Sequence, residues 1–295
     1  MSEPSLVACM LCGHDGYEER FEKLGRRFLA CRQCGLVRIE PMPSAESLEA
    51  YYQNEYGGGR YTEFAEAESM RRLIATHRIE RIQGHLDDES RSGRWLDVGC
   101  TTGDFIAACV ETGAKGEGVD ISSEAVAQAT RRGLVAHHSR IEDFSPSSPY
   151  RVITAFDVIE HLLDPRSFVR RLRSWLCDDG CLVLTTPDVS SIFPRWLMRS
   201  HWFYYWPDEH LFYFDPKTIS RLLEEEGFAV AEVGRAYKPL TLDYAAGNLQ
   251  SFNRGLGGLA RASVSLLPKR VRTRPIRMYV GEMIVIARAV DGAPS

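Results

Sequence analysis

The chain has 295 residues, of which 44% are hydrophobic and 26% are charged, so it can form a sizeable core and is not generally disordered. Its net charge of −4 disfavours a dedicated nucleic-acid binder, because such proteins are usually basic. No apolar run approaches the roughly 20 residues that span a bilayer, and the N-terminus lacks the features of a secretory signal. We therefore expect a cytoplasmic protein without a membrane partner.

The N-terminal segment contains two Cys-x2-Cys pairs with 18 residues between them. Four thiolates at this spacing are typical of one tetrahedral Zn²⁺, and a site with no open position is structural. The alternative, two disulfides or a redox pair, is disfavoured in the cytosol. We predict a zinc ribbon over residues 1–43 with these ligands: Cys9, Cys12, Cys31 and Cys34.

Residues 44–92 have a mostly helical pattern that Gly57-Gly58-Gly59 interrupts among several tyrosines. Two interpretations remain open for this glycine-rich segment. It is a lid that folds over a ligand, or it is a flexible connector.

From Arg94 onward, the pattern alternates between short apolar strands and helices. Strands are predicted at 94–98, 116–120, 134–138, 152–156, 181–185, 228–233 and 278–289. This alternation indicates an α/β domain over 93–295 with a doubly wound, parallel sheet covered by helices on both faces. Two segments interrupt it as insertions, at about 188–214 and 238–277.

The strand ends carry the residues with the clearest chemistry. The first strand runs into Gly99-Cys100-Thr101-Thr102-Gly103, whose glycines let backbone amides approach a ligand at a helix N-terminus. About 20 residues later the second strand ends at Asp120, a position suited to ribose hydroxyls. Further acids follow the third and fourth strands, at Asp143 and Asp157.

This combination resembles the class I S-adenosylmethionine-dependent methyltransferases, whose first loop reads D-x-G-C-G-T-G. Thr101 replaces the middle glycine of that loop, and the other positions match: Asp97, Gly99, Cys100, Thr102 and Gly103. The resemblance implies a Rossmann-like sheet with an antiparallel last strand. It also implies S-adenosylmethionine as cofactor, with its ribose on Asp120, and its adenine contacted by Ile121, Asp143 and Phe144. Asp157, the acid after the fourth strand, is also predicted to bind the cofactor.

The segment Asp157-Val158-Ile159-Glu160-His161 replaces the N/D-P-P-Y/F run of adenine-methylating enzymes. His161 follows the fourth strand, and His210 lies in an aromatic-rich stretch, so either imidazole is a candidate base that removes a proton from the acceptor. A structural role for each histidine is the alternative. The set Asp157, Glu160, His161 and His210 also looks like the ligands of a divalent ion such as Mg²⁺ in some members of the superfamily.

Both insertions have an unusual composition. The first is rich in aromatic residues, which predicts either a wall over an apolar acceptor or a hydrophobic plug or dimer contact. Residues 245–281 contain no Asp or Glu and seven cations, which bind an anionic substrate group or form a solvated face. These cations are Arg254, Arg261, Lys269, Arg270, Arg272, Arg274 and Arg277.

We therefore expect methyl transfer from S-adenosylmethionine to an oxygen or carbon of a small molecule, such as a sugar, a hydroxylated ring or a carrier- or nucleotide-linked intermediate. An RNA-base methyltransferase is one alternative, although a nucleic-acid partner is disfavoured. A non-catalytic cofactor-binding module is the other, and a homodimer is compatible with either.

Overall fold

The computed structural model describes residues 7–48, 50–51, 65–252 and 254–290. The glycine-rich segment at 57–59 lies outside the described residues. Residues 45–48 and 50–51 are helical, and two helices follow, α1 (Ala65–Gln83) and α2 (Asp88–Ser92). None of the helices in the described part of the chain is both long and apolar enough to cross a bilayer.

A seven-stranded sheet forms the centre of the molecule. Its strands are β4 (Arg94–Val98), β5 (Lys115–Asp120), β6 (Val135–His138), β7 (Tyr150–Phe156), β8 (Leu176–Pro187), β10 (Phe228–Leu240) and β11 (Ile276–Ala289). They lie in the order β10-β11-β8-β7-β4-β5-β6, and only β11 runs in the direction opposite to the other six strands. The predicted Rossmann-like sheet with an antiparallel last strand is confirmed.

Helices connect these strands and cover both faces of the sheet. They are α3 (Asp104–Glu111), α4 (Ser123–Arg131), α5 (Pro165–Trp175) and α6 (Pro216–Glu225). Two apolar clusters form the core: one packs α1 residues such as Ile79 and Ile82 against Trp95 and Val152, and the other contains Leu172, Leu222 and Val285.

The last two long strands extend further than the sequence predicts. β10 continues past Val233 to Leu240, because its pairing with β11 resumes after a bulge and runs from Tyr237–Tyr279 to Leu240–Ile276. The predicted insertion at 238–277 therefore begins inside a strand. Between the two strands it forms three helices, α7 (Leu242–Phe252), α8 (Arg254–Ser265) and α9 (Lys269–Arg272).

The N-terminal segment forms a small antiparallel sheet of β1 (Tyr17–Lys23), β2 (Arg26–Cys31) and β3 (Val37–Glu40). A fourth strand, β9 (Phe212–Tyr213), comes from the aromatic insertion and pairs with β3. Phe28 and Ile39 also share an apolar cluster with Phe214. The segment predicted as a zinc ribbon thus packs directly on the insertion next to the main sheet.

Candidate active site

A large cleft lies at the carboxyl ends of the parallel strands, where open α/β sheets bind ligands. Its volume is about 1490 Å³. The strand ends contribute many of the predicted site residues to its wall, and α1 closes one side with Arg71, Ile74, Ala75 and Arg78. The predicted residues in the wall are Asp97, Gly99, Cys100, Asp120, Ile121, Asp143, Asp157 and His161.

The turn after β4 has the backbone shape that a glycine-rich loop requires. Gly99 and Gly103 have φ values of 75° and 81°, in the left-handed region that glycine tolerates. A Cβ on Gly99 would lie 2.8 Å from a methyl group of Val158, so a larger residue does not fit there. Thr101, the departure from the family pattern, also has a positive φ of 46°.

Asp120 is held in place by backbone amides at the end of β5. Its carboxylate accepts hydrogen bonds from the amide of Thr101 at 2.9 Å and from the amide of Ser122 at 2.8 Å. Burial raises the pKa of this carboxyl group, and the amide hydrogen bonds counteract that effect. The neighbouring Ile121 is 45% exposed and forms an apolar part of the wall.

Asp97 is buried at the end of β4 and accepts a hydrogen bond from the Thr154 hydroxyl at 2.7 Å. Burial raises the pKa of Asp97 to about 7. A carboxyl group with so few donors around it is poised to receive a cationic or hydrogen-bonding group from a ligand in the cleft.

Asp157 occupies a strained position, with a φ of 56° at the end of β7. Its carboxylate accepts a hydrogen bond from the Thr185 hydroxyl at 2.9 Å, and Arg78 and Lys238 lie 3.4 and 3.6 Å away. Although burial raises the pKa of Asp157, the two cations hold it below its ordinary value. Asp157 therefore stays ionised.

Glu160, His161 and His210 form a cluster beside Asp157, in which Glu160 and His210 are buried and His161 reaches the cleft. Their ligand atoms all lie within 4.8 Å of one another, and the two imidazole rings are perpendicular with centroids 4.7 Å apart. Neither carboxylate oxygen of Glu160 has a hydrogen-bond partner among the described residues, although the residue is only 1% exposed. Burial raises the pKa of Glu160 well above its ordinary value.

Both histidines of this cluster are neutral at physiological pH. Burial and the neighbouring His210 lower the pKa of His161 to about 3, and burial lowers that of His210 to about 4. Nδ1 of His210 lies 2.8 Å from the Tyr204 carbonyl oxygen. Because a carbonyl only accepts, Nδ1 carries the proton and Nε2 keeps a lone pair.

Several predicted residues lie away from the cleft wall. Phe144 is buried against Trp175, with ring centroids 5.4 Å apart. Thr102 and Gly103, which end the turn, are not part of the cleft wall: the Thr102 hydroxyl donates to Asp104, and a Cβ on Gly103 would meet Leu134 at 2.6 Å. His210 lies behind His161. The cofactor and catalytic roles of these residues stay predictions.

Sequence reasoning missed a buried ion network beneath the cleft. Glu282 on β11 is fully buried and accepts hydrogen bonds from Lys238 and the Tyr204 hydroxyl. Lys238, which also faces Asp157, lines the cleft. The one available signal was a glutamate inside the otherwise apolar run of β11, because an acid at such a position needs a partner.

The four N-terminal cysteines come together as predicted from their spacing. Cys9 and Cys34 have sulfurs 3.5 Å apart, and those of Cys12 and Cys31 are 3.4 Å apart. All four sulfurs lie within 4.8 Å of one another, as a tetrahedral four-thiolate site requires.

The sheet order, the glycine-containing turn and the acids at successive strand ends define a class I S-adenosylmethionine-dependent methyltransferase. Residues 67–233, more than half of the chain, match the methyltransferase-domain family, and the chain belongs to this family. The protein is therefore an S-adenosylmethionine-dependent methyltransferase.

Relatives and solved structures agree with this class. The chain is 26% identical over 198 residues to the ubiquinone biosynthesis O-methyltransferase of Nitrosospira multiformis, covering 58% of this chain and 79% of that protein. The Neisseria meningitidis enzyme of the same name is 25% identical over 191 residues, covering 57% and 76%.

Among solved structures, the fold resembles magnesium protoporphyrin IX methyltransferase from Synechocystis with bound S-adenosylhomocysteine. The TM-score is 0.53 at 15% identity, over 83% of this chain and 99% of that one. A Burkholderia thailandensis 1,6-didemethyltoxoflavin N1-methyltransferase has a TM-score of 0.52 at 15% identity, over 93% and 100%. At this identity the likeness concerns the fold.

Proposed function

We propose that the protein transfers the methyl group of S-adenosylmethionine to a hydroxyl oxygen of a small-molecule acceptor. The Glu160–His161–His210 cluster carries this proposal, because His161 reaches the cleft from the end of β7. The neutral His161 imidazole can accept a proton from a hydroxyl group, and the ionised Asp157 beside it stabilises the imidazolium that forms. The sequence relatives are named O-methyltransferases, which also supports an oxygen acceptor.

For the cofactor, we assign the ribose hydroxyls to Asp120, the adenine to Ile121 and Asp143, and the methionine end to Asp97 and the turn at 99–103. Asp120 supports this assignment, because two amides fix its carboxylate at the strand end. The unmet hydrogen-bonding capacity of Asp97 supports a contact with the cofactor's ammonium group.

For the acceptor, we assign the side of the cleft between α1 and His161. The wall there combines the apolar Ile74 and Leu162 with the cations Arg78 and Lys238. Such a surface accommodates a ring and a polar substituent together. His161, with His210 behind it, takes the hydroxyl proton as the new oxygen–carbon bond forms.

As an alternative to base catalysis by His161, we propose that Glu160, His161 and His210 hold a divalent cation that activates the acceptor hydroxyl in its place. The residues fit such an ion, since Glu160 has two unpartnered buried oxygens and both imidazoles are neutral. The resemblance to metal-dependent members grouped Asp157 with these three residues, but Asp157 lies outside the cluster. Its carboxylate instead accepts a hydrogen bond from Thr185 and pairs with Arg78 and Lys238. When bound, the ion would lower the pKa of an acceptor hydroxyl.

In the N-terminal segment, we propose that Cys9, Cys12, Cys31 and Cys34 bind one structural Zn²⁺. The close approach of the four sulfurs supports this. Four thiolates leave no open position, so the ion stabilises the ribbon and takes no part in methyl transfer.

A screen with an isotope-labelled methyl donor tests the function. The acceptors are catechols, other ring hydroxyls, nucleotide sugars and a short RNA, each assayed with and without Mg²⁺. We expect a methoxy product from a hydroxylated small molecule. A product with a new carbon–carbon bond, or a methylated RNA base, would overturn the assignment of the acceptor atom.

Variants of the cluster test the assigned roles. His161→Ala is expected to lower kcat by about 10²–10⁴-fold, the usual contribution of a general base, with cofactor affinity nearly unchanged. His201→Ala, at an exposed histidine of the insertion that contains His210, is the matched control. Full kcat in His161→Ala would contradict the role of the cluster.

A further inference from the structure

Two segments of the surface each expose several large apolar side chains. Leu266 is 86% exposed and Leu259 67%, on and just after α8. Trp196 is 78% exposed and its neighbour Leu197 65%. We call the exposed faces of residues 192–199 and 259–274 the basic apolar surface. Clusters of exposed apolar residues mark interaction sites.

The same segments carry only positive charge. Residues 192–199 contain two arginines and residues 245–281 seven lysines and arginines, with no Asp or Glu in either. The rest of the chain holds 27 Lys and Arg against 40 Asp and Glu. Arg272 pairs with Asp243 at 3.5 Å, whereas Lys269, Arg270 and Arg274, which follow Leu266 within eight residues, are exposed. The positive charge is therefore concentrated where the apolar side chains protrude.

Both segments adjoin the same strand, because residues 192–199 pack against β11 and residues 259–274 lead into it. Phe193 packs against Tyr279, with ring centroids 5.8 Å apart, and Tyr279 packs against Tyr237 at 5.9 Å. Both insertions begin where β8 and β10 reach one end of the sheet. Both segments therefore lie next to the β10–β11 pair.

We propose that the basic apolar surface docks the protein onto an anionic lipid membrane as a peripheral contact. Leucines and a tryptophan beside lysine and arginine side chains are the combination that inserts into the headgroup region of an anionic bilayer. A nucleic acid would use the cations but leave Leu266 and Leu259 in water. A symmetric contact between two copies would bring these cations against each other.

A membrane partner was not expected from the sequence, because the chain lacks a spanning apolar run. A peripheral contact does not require one, since it uses protruding side chains and the charge of the headgroups. The proposal is independent of the proposed acceptor.

Vesicle sedimentation of the full chain tests the proposal. We expect binding to vesicles of phosphatidylcholine with phosphatidylglycerol, little binding to phosphatidylcholine alone, and weakening with added salt. Lys269→Glu with Arg270→Glu should weaken partitioning by on the order of thirtyfold or more, given the contribution of each basic residue near an anionic surface. Leu266→Ser with Leu267→Ser should also weaken it.

The matched control reverses two exposed cations on the opposite side of the sheet, Lys115→Glu with Arg131→Glu, and should bind vesicles like the wild type. Calorimetric binding of S-adenosylhomocysteine shows that each variant is folded. Equal binding to neutral and anionic vesicles, or binding to neither, would overturn the proposal. So would a dimer in light scattering that the leucine variant dissociates, because the surface would then be a contact between two copies.

Discussion

Asp97 is a carboxyl group that the fold buries with one side-chain hydrogen bond, from Thr154. Burial raises its pKa from 3.8 to about 7. Between these values the folded protein holds a proton that the unfolded chain has released, so the stability contributed by this group falls as the pH rises through that window. Above pH 7 the buried, ionised carboxylate lowers the free energy of unfolding.

Asp97→Asn is therefore expected to be more stable than the wild type at pH 8, by about 2–4 kcal/mol, and to lose this advantage towards pH 4. Cofactor affinity should fall, because an amide cannot neutralise an ammonium group. Denaturant unfolding across pH and calorimetry measure the two effects. Asp178→Asn, at an exposed site, is the control, and a stability gain that does not vary with pH would contradict the explanation.

Thr101, like Asp157, has a strained backbone, since a β-branched residue at a φ of 46° is disfavoured. Thr101→Gly relieves this strain, worth about 1–2 kcal/mol, and adds backbone entropy to the unfolded chain. We expect the free energy of unfolding to rise by about 0.5–1 kcal/mol, with cofactor binding retained. Thr102→Gly, next to it without a positive φ, should instead destabilise. A destabilised Thr101→Gly would show that the side chain has a packing role.

At the scale of elements, one residue, Leu211, joins the ribbon to the proposed catalytic cluster. The amide of Ile39 on β3 donates to the Leu211 carbonyl at 3.1 Å, and the amide of Leu211 donates to the Glu160 carbonyl at 2.8 Å. Leu211 follows His210 directly. The ribbon therefore positions both parts of the cluster through backbone hydrogen bonds.

Loss of the proposed zinc should consequently affect turnover as well as stability. We expect Cys31→Ser with Cys34→Ser to lose the metal, to unfold at a lower temperature, and to lower kcat by at least about tenfold, as small displacements of catalytic groups do. Cofactor affinity should change much less, because the cofactor-binding residues lie on other strand ends. Cys177→Ser is the control. A zinc-free variant with normal kcat would contradict the coupling.

At the scale of elements, the sequence predicted those strands and turns whose signals lie within a few consecutive residues. The apolar runs of β4, β5 and β7 and the turn at 99–103 were predicted close to their observed positions, because strand periodicity and glycine are local signals. The pairing of β9 with β3 was not predicted, since a two-residue strand has no periodicity. The continuation of β10 depends on β11 across the insertion, and no local signal reports such pairing.

At the scale of the whole molecule, the chemistry lies where the strand ends, α1 and the insertion converge. The sequence identified Asp120 and His161 through their places after strands. It could not identify Arg78 or Lys238, because their role comes from long-range contacts with Asp157. In the sequence, an Arg or Lys that pairs with a buried acid cannot be distinguished from one that is solvated.

Binding of the cofactor in this cleft is tested most directly by calorimetric titration with S-adenosylhomocysteine, in which the wild type is compared with Asp120→Ala. We expect one site per chain and at least about tenfold weaker binding in Asp120→Ala, because a buried charge-assisted hydrogen bond to the ribose would be lost. Asp178→Ala should bind like the wild type. No binding by the wild type, or unchanged affinity in a folded Asp120→Ala, would contradict the placement of the cofactor in this cleft.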